Sequence, residues 1–182
     1  LPVQDLSRQQ RCREMRRTVL RAVHLATESW EMTTPFRITG HVFNEARVLV
    51  ASITEEGCTG RGEASGVYYL GETAESMRVQ AESIRPALEQ GVDRARLQTL
   101  LPAGGARNAI DCALWDLEAK RGGRSVWELT DIAPRSVTTF ETVGLETPQA
   151  MAANARALHT PNIKVKLDGN DPLARIRAVR AA

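Results

Sequence analysis

The last part of the chain, residues 135–182, constrains the fold most strongly, because strand and helix patterns alternate there. Two predicted strands are each followed by a predicted helix with a recognisable N-cap residue. In chain order these elements are residues 137–143, 148–158 (N-cap Thr147), 163–167 and 172–181 (N-cap Asp171). This order predicts parallel strands, which must be covered on both faces. Since a complete eight-stranded barrel takes about 250 residues, we expect this part to be the start of a larger α/β domain.

The preceding residues predict a separate α+β layer. Strand patterns at residues 18–28, 47–54 and 59–63 favour a three-stranded antiparallel meander. Residues 35–44, between the first two strands, are long for a hairpin connection and carry apolar side chains, which suggests a lid loop.

Three helices are predicted after the meander. An apolar stripe of Met77, Ala81, Ile84 and Leu88 ends at Gly91, and a second helix covers residues 93–101. The clearest helix covers residues 106–121. Its apolar face consists of Ala109, Ile110, Ala113, Leu114 and Leu117. Cys112 lies beside that face, and we interpret it as a packed core thiol and not as a nucleophile.

Composition excludes several classes of protein. The 182 residues are 42% hydrophobic and 25% charged, which is ordinary for a globular chain. No apolar run is long enough for a membrane span or a secretory signal, so we expect a cytoplasmic protein with no membrane partner. The three cysteines have irregular spacing and are interpreted as reduced thiols. Residues 1–17 are arginine-rich without aromatic residues, which favours a solvated extension over a nucleic-acid-binding arm.

Lysine is rare. Of the 24 lysine and arginine residues, only three are lysine, namely Lys120, Lys164 and Lys166. Lys164 and Lys166 are two apart in a predicted strand, so they share one face. Repulsion between two ammonium groups favours the neutral form of one, which could then act as a general base. The pair lies near the carboxyl end of its strand, where parallel α/β folds place active sites. The alternative is a solvated pair at a sheet edge.

Several segments resemble the dipeptide epimerases, of the L-Ala-D/L-Glu epimerase type, in the muconate-lactonizing-enzyme-like subgroup of the enolase superfamily. The resemblance covers about residues 18–182 and is carried by short motifs throughout. These are PF at 35–36, EARV at 45–48, GRGE at 60–63, GET at 71–73, LPAGGARNAIDCALWDL at 101–117, TV at 142–143, TP at 147–148 and KVKLD at 164–168.

The resemblance implies a basic extension (1–17), a capping domain (18–134) and the first two βα units of a modified TIM barrel (135–182). It implies Mg²⁺-dependent epimerisation of a small-molecule dipeptide. Lys166 would then move the α-proton, Lys164 would contact the substrate carboxylate, and Thr142 would bind substrate. For Thr142 the alternative is an ordinary strand threonine.

Two departures from the family pattern matter. Phe43 stands where the Ala-Glu-specific members carry an arginine that meets the distal carboxylate of the substrate. An uncharged ring cannot pair with that carboxylate, which favours an apolar or aromatic dipeptide, unless Phe43 packs into the cap. The metal ligands and the opposite-face lysine of the family would lie beyond Ala182, so we expect the chain by itself to be inactive. Asp168 and Asp171 are interpreted as a loop residue and a helix cap, not as ligands.

Two alternatives stay open. Another enzyme of the same subgroup, such as an N-acylamino acid racemase, an o-succinylbenzoate synthase or a cycloisomerase, would share the lysine pair. A non-catalytic binding protein could use the two lysines to hold an anion. Homo-oligomer formation is compatible with each of these.

Overall fold

The computed structural model describes residues 20–182. The predicted basic extension 1–17 and the start of the first predicted strand lie outside the described residues. The described residues divide into two compact units, one formed by residues 20–28 with Arg47–Ile132, the other by Ser29–Ala46 with Ala133–Ala182. No helix among the described residues has both the length and the apolar character that crossing a membrane requires.

Three strands form one sheet in the order β1-β2-β3, which confirms the predicted meander. The strands are β1 (Ala22–Ile38), β2 (His41–Glu55) and β3 (Cys58–Ser65). β2 and β3 pair antiparallel, with Val50 opposite Glu63 and Glu55 opposite Cys58. Both β1 and β2 are much longer than the sequence predicts.

The prediction of a loop at residues 35–44 is wrong, because β1 and β2 continue through this stretch as a hairpin. A lid role for these residues stays a prediction. A two-residue turn at Thr39 and Gly40 joins them, and Gly40 supplies the positive φ, +73°, that such turns favour. Proline is disfavoured inside strands, so Pro35 argues against a strand at this position. It is tolerated because β1 has a sheet neighbour on one side only among the described residues, so an absent N–H need not cost a ladder hydrogen bond.

Helices follow the sheet in the first unit. They are α1 (Ala74–Ser83), α2 (Arg85–Glu89), α3 (Arg94–Leu100), α4 (Gly105–Gly122) and α5 (Val126–Thr130), preceded by a 3₁₀ turn at Tyr68–Leu70. The stripe Met77, Ala81, Ile84 and Leu88 is buried as predicted, but it spans two helices. The helix breaks at Ile84 because Pro86 has no N–H to continue the ladder. Helix α5 was not predicted, although Ser125 and Glu128 form a reciprocal capping box there.

The core of the first unit lies between the sheet and α4. All five residues of the predicted apolar face of α4 are buried, so that prediction is confirmed. Contact between β3 and α4 is so close that two glycines of β3 leave no room for a side chain. A Cβ on Gly60 would lie 2.1 Å from the Ala113 carbonyl oxygen, and one on Gly62 would lie 2.2 Å from that of Ala109.

The interpretation of Cys112 as a packed core thiol is wrong, since the residue is exposed. Cys112 borders the buried face of α4. Its Cβ lies close to Gly62 of β3, but the residue as a whole remains accessible to solvent. Partial burial of the thiol and, secondarily, the negative charge of Asp111 raise the pKa of Cys112. The raised pKa lowers the thiolate fraction at neutral pH, which disfavours a nucleophilic role.

The second unit contains two parallel strands, each followed by a helix, as predicted. The elements are β4 (Glu141–Val143), α6 (Pro148–Ala157), β5 (Ile163–Val165) and α7 (Pro172–Arg180). Thr147 and Asp171 cap the two helices by accepting hydrogen bonds from Ala150 N and Ala174 N. Both predicted caps are therefore confirmed.

The two strands are shorter than predicted. Residues 137–140 have no strand partner among the described residues, and Val137 is 79% exposed. A strand assignment requires a hydrogen-bonded neighbour, so the β-prone residues before Glu141 remain outside the sheet. The paired residues bury Val143, Met151 and Ala155, with Ile163 and Val165 packed against them.

Replacement of Gly62 by alanine tests the close packing of β3 on α4. We expect Gly62→Ala to lower the free energy of unfolding by about 2 kcal/mol or more, because the new methyl group must displace helix backbone. Urea denaturation followed by circular dichroism measures the change.

Gly122→Ala is the matched control, since the nearest atom to a Cβ there is the flexible Arg124 Cδ at 4.0 Å. We expect this variant to keep or slightly increase stability. An equal loss in both variants, or no loss in Gly62→Ala, would contradict the packing described.

Candidate active site at the ends of two parallel strands

The two lysines and Thr142 lie on adjacent strands. Thr142 is the register partner of Lys164 in the parallel pair of β4 and β5. Ile163 and Val165 pack against the small core beneath α6, so alternation places Lys164 on the opposite face of the sheet. The structure therefore brings Thr142 and Lys164 side by side on the sheet face opposite this small core.

Lys166 continues the same register by one further residue. Strand β5 ends at Val165, but Lys166 N donates a hydrogen bond of 3.0 Å to Val143 O. Its backbone is thus fixed to β4 at the carboxyl end of the sheet. Lys164 is exposed and Lys166 is half-buried.

Neither ammonium group has a partner within residues 20–182. No ion pair or side-chain hydrogen bond joins Lys164 or Lys166 to another described residue. Two neighbouring cations without a carboxylate partner create a positive potential, which favours binding of an anionic group such as a carboxylate. The arrangement can hold an acid substrate and exchange a proton with it.

Phe43 lies on the hairpin of β1 and β2, and its ring packs with other rings there. The His41 ring meets it edge-on with centroids 4.3 Å apart, and the Phe36 centroid is 6.4 Å away. Phe43 is half-buried and is not a member of the hydrophobic core of the first unit. The ring is therefore part of an aromatic cluster on the hairpin, here called the hairpin cluster (Phe36, His41, Phe43).

A cavity of about 520 Å³ lies between the hairpin and β4 within the second unit. Phe36 and Arg37 line it from the hairpin, and Thr142 and Glu146 line it from β4 and the following loop. Lys164, Lys166 and Phe43 are not among its lining residues. The structure thus brings Thr142 to the cavity and leaves the two lysines outside it.

The contacts made by the hairpin tip are not indicated by the sequence patterns. Thr39 Oγ1 donates to Leu167 O at 3.3 Å, and Arg37 O accepts from Leu145 N at 3.4 Å. The Arg37 guanidinium also forms an exposed ion pair of 3.5 Å with Glu146. The available signal was Arg37 itself, the single charged side chain between Met32 and Asn44.

Metal ligation is not provided by the described residues. No three side chains of His, Cys, Asp or Glu within residues 20–182 come together in a way that could hold a metal ion. Asp171 caps α7, and Asp168 forms an ion pair with Arg175. Both aspartates thus have structural partners.

Comparison with known proteins decides the family. Residues 20–130 match the family described as Mandelate racemase / muconate lactonizing enzyme, N-terminal domain. The chain belongs to this family. It is 42% identical over 167 residues to the L-Ala-D/L-Glu epimerase of Escherichia coli (strain K12), covering 90% of this chain and 52% of that protein.

Two solved structures show the same fold. An enolase family member from Agrobacterium tumefaciens with homology to dipeptide epimerases, solved with sodium and L-Ala-L-Glu, gives a TM-score of 0.84 at 34% identity and covers 88% of this chain and 50% of that one. A dipeptide epimerase from Enterococcus faecalis V583, complexed with Mg and L-Leu-L-Tyr, gives a TM-score of 0.76 at 24% identity. The match covers 87% of this chain and 49% of that one.

These comparisons confirm the predicted fold class, an α+β capping domain followed by the start of an α/β modified TIM barrel. The chain spans about half the length of the relatives that it matches. The predicted boundaries at residues 17 and 134 stay predictions.

Proposed function

We propose that the protein carrying this chain is a dipeptide epimerase that inverts the configuration at a carbon next to a carboxylate. The observation that carries the proposal is the grouping of Thr142, Lys164 and Lys166 at the carboxyl ends of two parallel strands. Active sites of parallel α/β barrels form at this end of the strands. The relationship to the Escherichia coli epimerase supports the same reaction class.

Lys166 is the proposed base. A proton next to a carboxylate is very weakly acidic, so its removal needs a base together with fixed positive charge near the carboxylate. In its neutral form, Lys166 takes the α-proton from one epimer and becomes an ammonium. In the reverse direction, the ammonium returns a proton to the same face of the enolate. Return of a proton to the opposite face gives the other epimer.

Lys164 and Thr142 are the proposed binding residues. Lys164 is exposed, remains without a carboxylate partner among the described residues and shares the sheet face with Lys166. Its ammonium would contact the substrate carboxylate and supply fixed positive charge next to the reacting carbon. The Thr142 hydroxyl, next to Lys164 in the register, would hydrogen-bond the substrate.

Mg²⁺ is the proposed cofactor, because the Enterococcus faecalis epimerase of the same fold was solved with Mg. Within residues 20–182, no group of three or more His, Cys, Asp or Glu side chains could hold a metal ion. No described residue is therefore assigned to metal binding. The chemistry assigned to this chain is that of its lysines and Thr142.

The hairpin cluster supports a dipeptide with an uncharged second residue. Phe43 offers no charge to a second carboxylate, and the Arg37 guanidinium nearby on the hairpin is already paired with Glu146. Leaving a carboxylate unpaired against aromatic rings is costly. We therefore propose apolar or aromatic dipeptides as better substrates than Ala-Glu.

Lys166→Arg tests the base directly. Arginine keeps the charge but practically never loses its proton, so it cannot accept the α-proton. In the full-length protein, we expect α-proton exchange with solvent deuterium to fall by at least about 100-fold for one substrate epimer. Proton NMR measures the exchange for each epimer separately.

Lys120→Arg is the matched control for that experiment. Lys120 pairs with Asp116 on α4, in the other unit of the chain, and its replacement should leave both exchange rates unchanged. Retained exchange from both epimers in Lys166→Arg would exclude Lys166 as the base.

Phe43→Arg tests the proposed substrate class. We expect the ratio of kcat/KM for Ala-Glu to that for an apolar dipeptide to rise by about tenfold or more, since the new guanidinium can pair with the distal carboxylate. A panel of dipeptides, with kcat/KM measured for each member, gives this ratio.

Phe140→Arg adds the same charge to an exposed phenylalanine just before β4 and serves as the control. A wild-type preference for Ala-Glu would show that another residue meets the carboxylate. Activity on N-acylamino acids with none on dipeptides would favour another enzyme of the subgroup. Binding of the panel without any exchange would favour a binding protein.

A further inference from the structure

Arg175 on α7 joins the two loops that leave the candidate site. Its Nε donates a hydrogen bond of 2.9 Å to Glu146 O, in the loop after β4. Its Nη1 pairs with the Asp168 carboxylate and donates to Asn170 O, both in the loop after β5. The side chains of Arg175 and Asp168 are only 16% and 17% exposed. This arrangement is here called the Arg175 clamp (Arg175, Glu146, Asp168, Asn170).

The clamp holds chain segments close to the reactive residues. Asp168 is two residues beyond Lys166, and Glu146 is four residues beyond Thr142. The Asp168 carboxylate also accepts a hydrogen bond of 2.9 Å from Asn170 N, which closes the turn between β5 and α7. Since connecting loops are more mobile than the strands they follow, the clamp limits the motion of both strand ends.

Lys166 is thereby fixed from two directions. On one side, its N–H donates to Val143 O and extends the sheet. On the other side, the chain is held two residues later by the Asp168–Arg175 ion pair. The planar guanidinium supplies donors in a fixed fork, so one side chain reaches acceptors in both loops at once.

We propose that Arg175 is a positioning residue that sets the placement of Lys166 through the Asp168 loop. The inference rests on the proposed function, because it assigns to Arg175 a part in the proton transfer by Lys166. Arg175 itself touches neither substrate nor proton. Misplacement of a reacting group by about 1 Å can cost about 100-fold in rate, so loss of the clamp should reduce turnover more than binding.

The test compares Arg175→Lys with Arg177→Lys in the full-length protein. A lysine at 175 keeps the positive charge but lacks the fork that spans both loops. Arg177 is exposed on the same helix and has no side-chain partner among the described residues, so its replacement is the matched control. The readouts are kcat and KM, and the α-deuterium exchange rate of each epimer.

We expect Arg175→Lys to lower kcat by about tenfold or more. The α-deuterium exchange rate of the epimer whose proton Lys166 removes should fall by the same factor. KM and the exchange of the opposite epimer should stay within about twofold of the wild type, and Arg177→Lys should match the wild type. A merely structural role would slow both epimers alike. Asp168→Asn keeps the shape of the loop and removes the anion, and it should show the same asymmetry even if Arg175→Lys fails to fold.

The outcomes separate the two levels of the proposal. A wild-type protein that exchanges neither epimer overturns the proposed function and, with it, the role of Arg175. Exchange by the wild type, with equal slowing of both epimers or no slowing in the Arg175→Lys and Asp168→Asn variants, overturns only the positioning role.

Discussion

Parallel pairing of β4 with β5 determines where each proposed site residue on these strands lies. The register sets Thr142 beside Lys164, and the hydrogen bond from Lys166 N to Val143 O carries the register to the second lysine. A shift of one residue would turn both lysines toward the small core of Val143, Met151 and Ala155. Burial of two unpaired ammonium groups in that core would be strongly unfavourable, so hydrophobic packing on one face of the sheet keeps both lysines on the other face.

Arginine and lysine side chains differ in their partners within residues 20–182. Arginines form many of the ion pairs of the described residues, including the largely buried pairs Arg21–Glu55 and Arg175–Asp168. Two of the three lysines, Lys164 and Lys166, are left without a carboxylate partner within residues 20–182. Arginine suits permanent pairing because it stays protonated and forks toward its acceptors, whereas lysine can lose its proton.

Local patterns predicted much of the fold, because they depend on neighbours in the sequence. The buried face of α4 follows from helical spacing, and the caps at Thr147 and Asp171 follow from side-chain chemistry next to a proline. The strand–helix–strand–helix order of the second unit also follows from pattern alone.

Features that depend on distant partners were predicted less well. Residues 35–44 form a strand hairpin because β1 and β2 pair with each other. Residues 137–140 do not form a strand because no described strand pairs with them. Exposure of Cys112 depends on how β3 crosses α4, which helical spacing does not specify. The Arg175 clamp and the contacts of the hairpin tip join segments far apart in the chain, so no local pattern indicates them.

A crystal structure of the full-length protein with Mg²⁺ and an apolar dipeptide would show whether Lys166 is placed to act as the base. We expect the substrate carboxylate to lie beside Lys164 at the ends of β4 and β5. We also expect Lys166 Nζ to approach the substrate α-carbon to about 3–3.5 Å, the separation of reacting atoms in a productive complex. A dipeptide bound away from these strand ends, or a Lys166 side chain directed away from the α-carbon, would contradict the proposed role of Lys166.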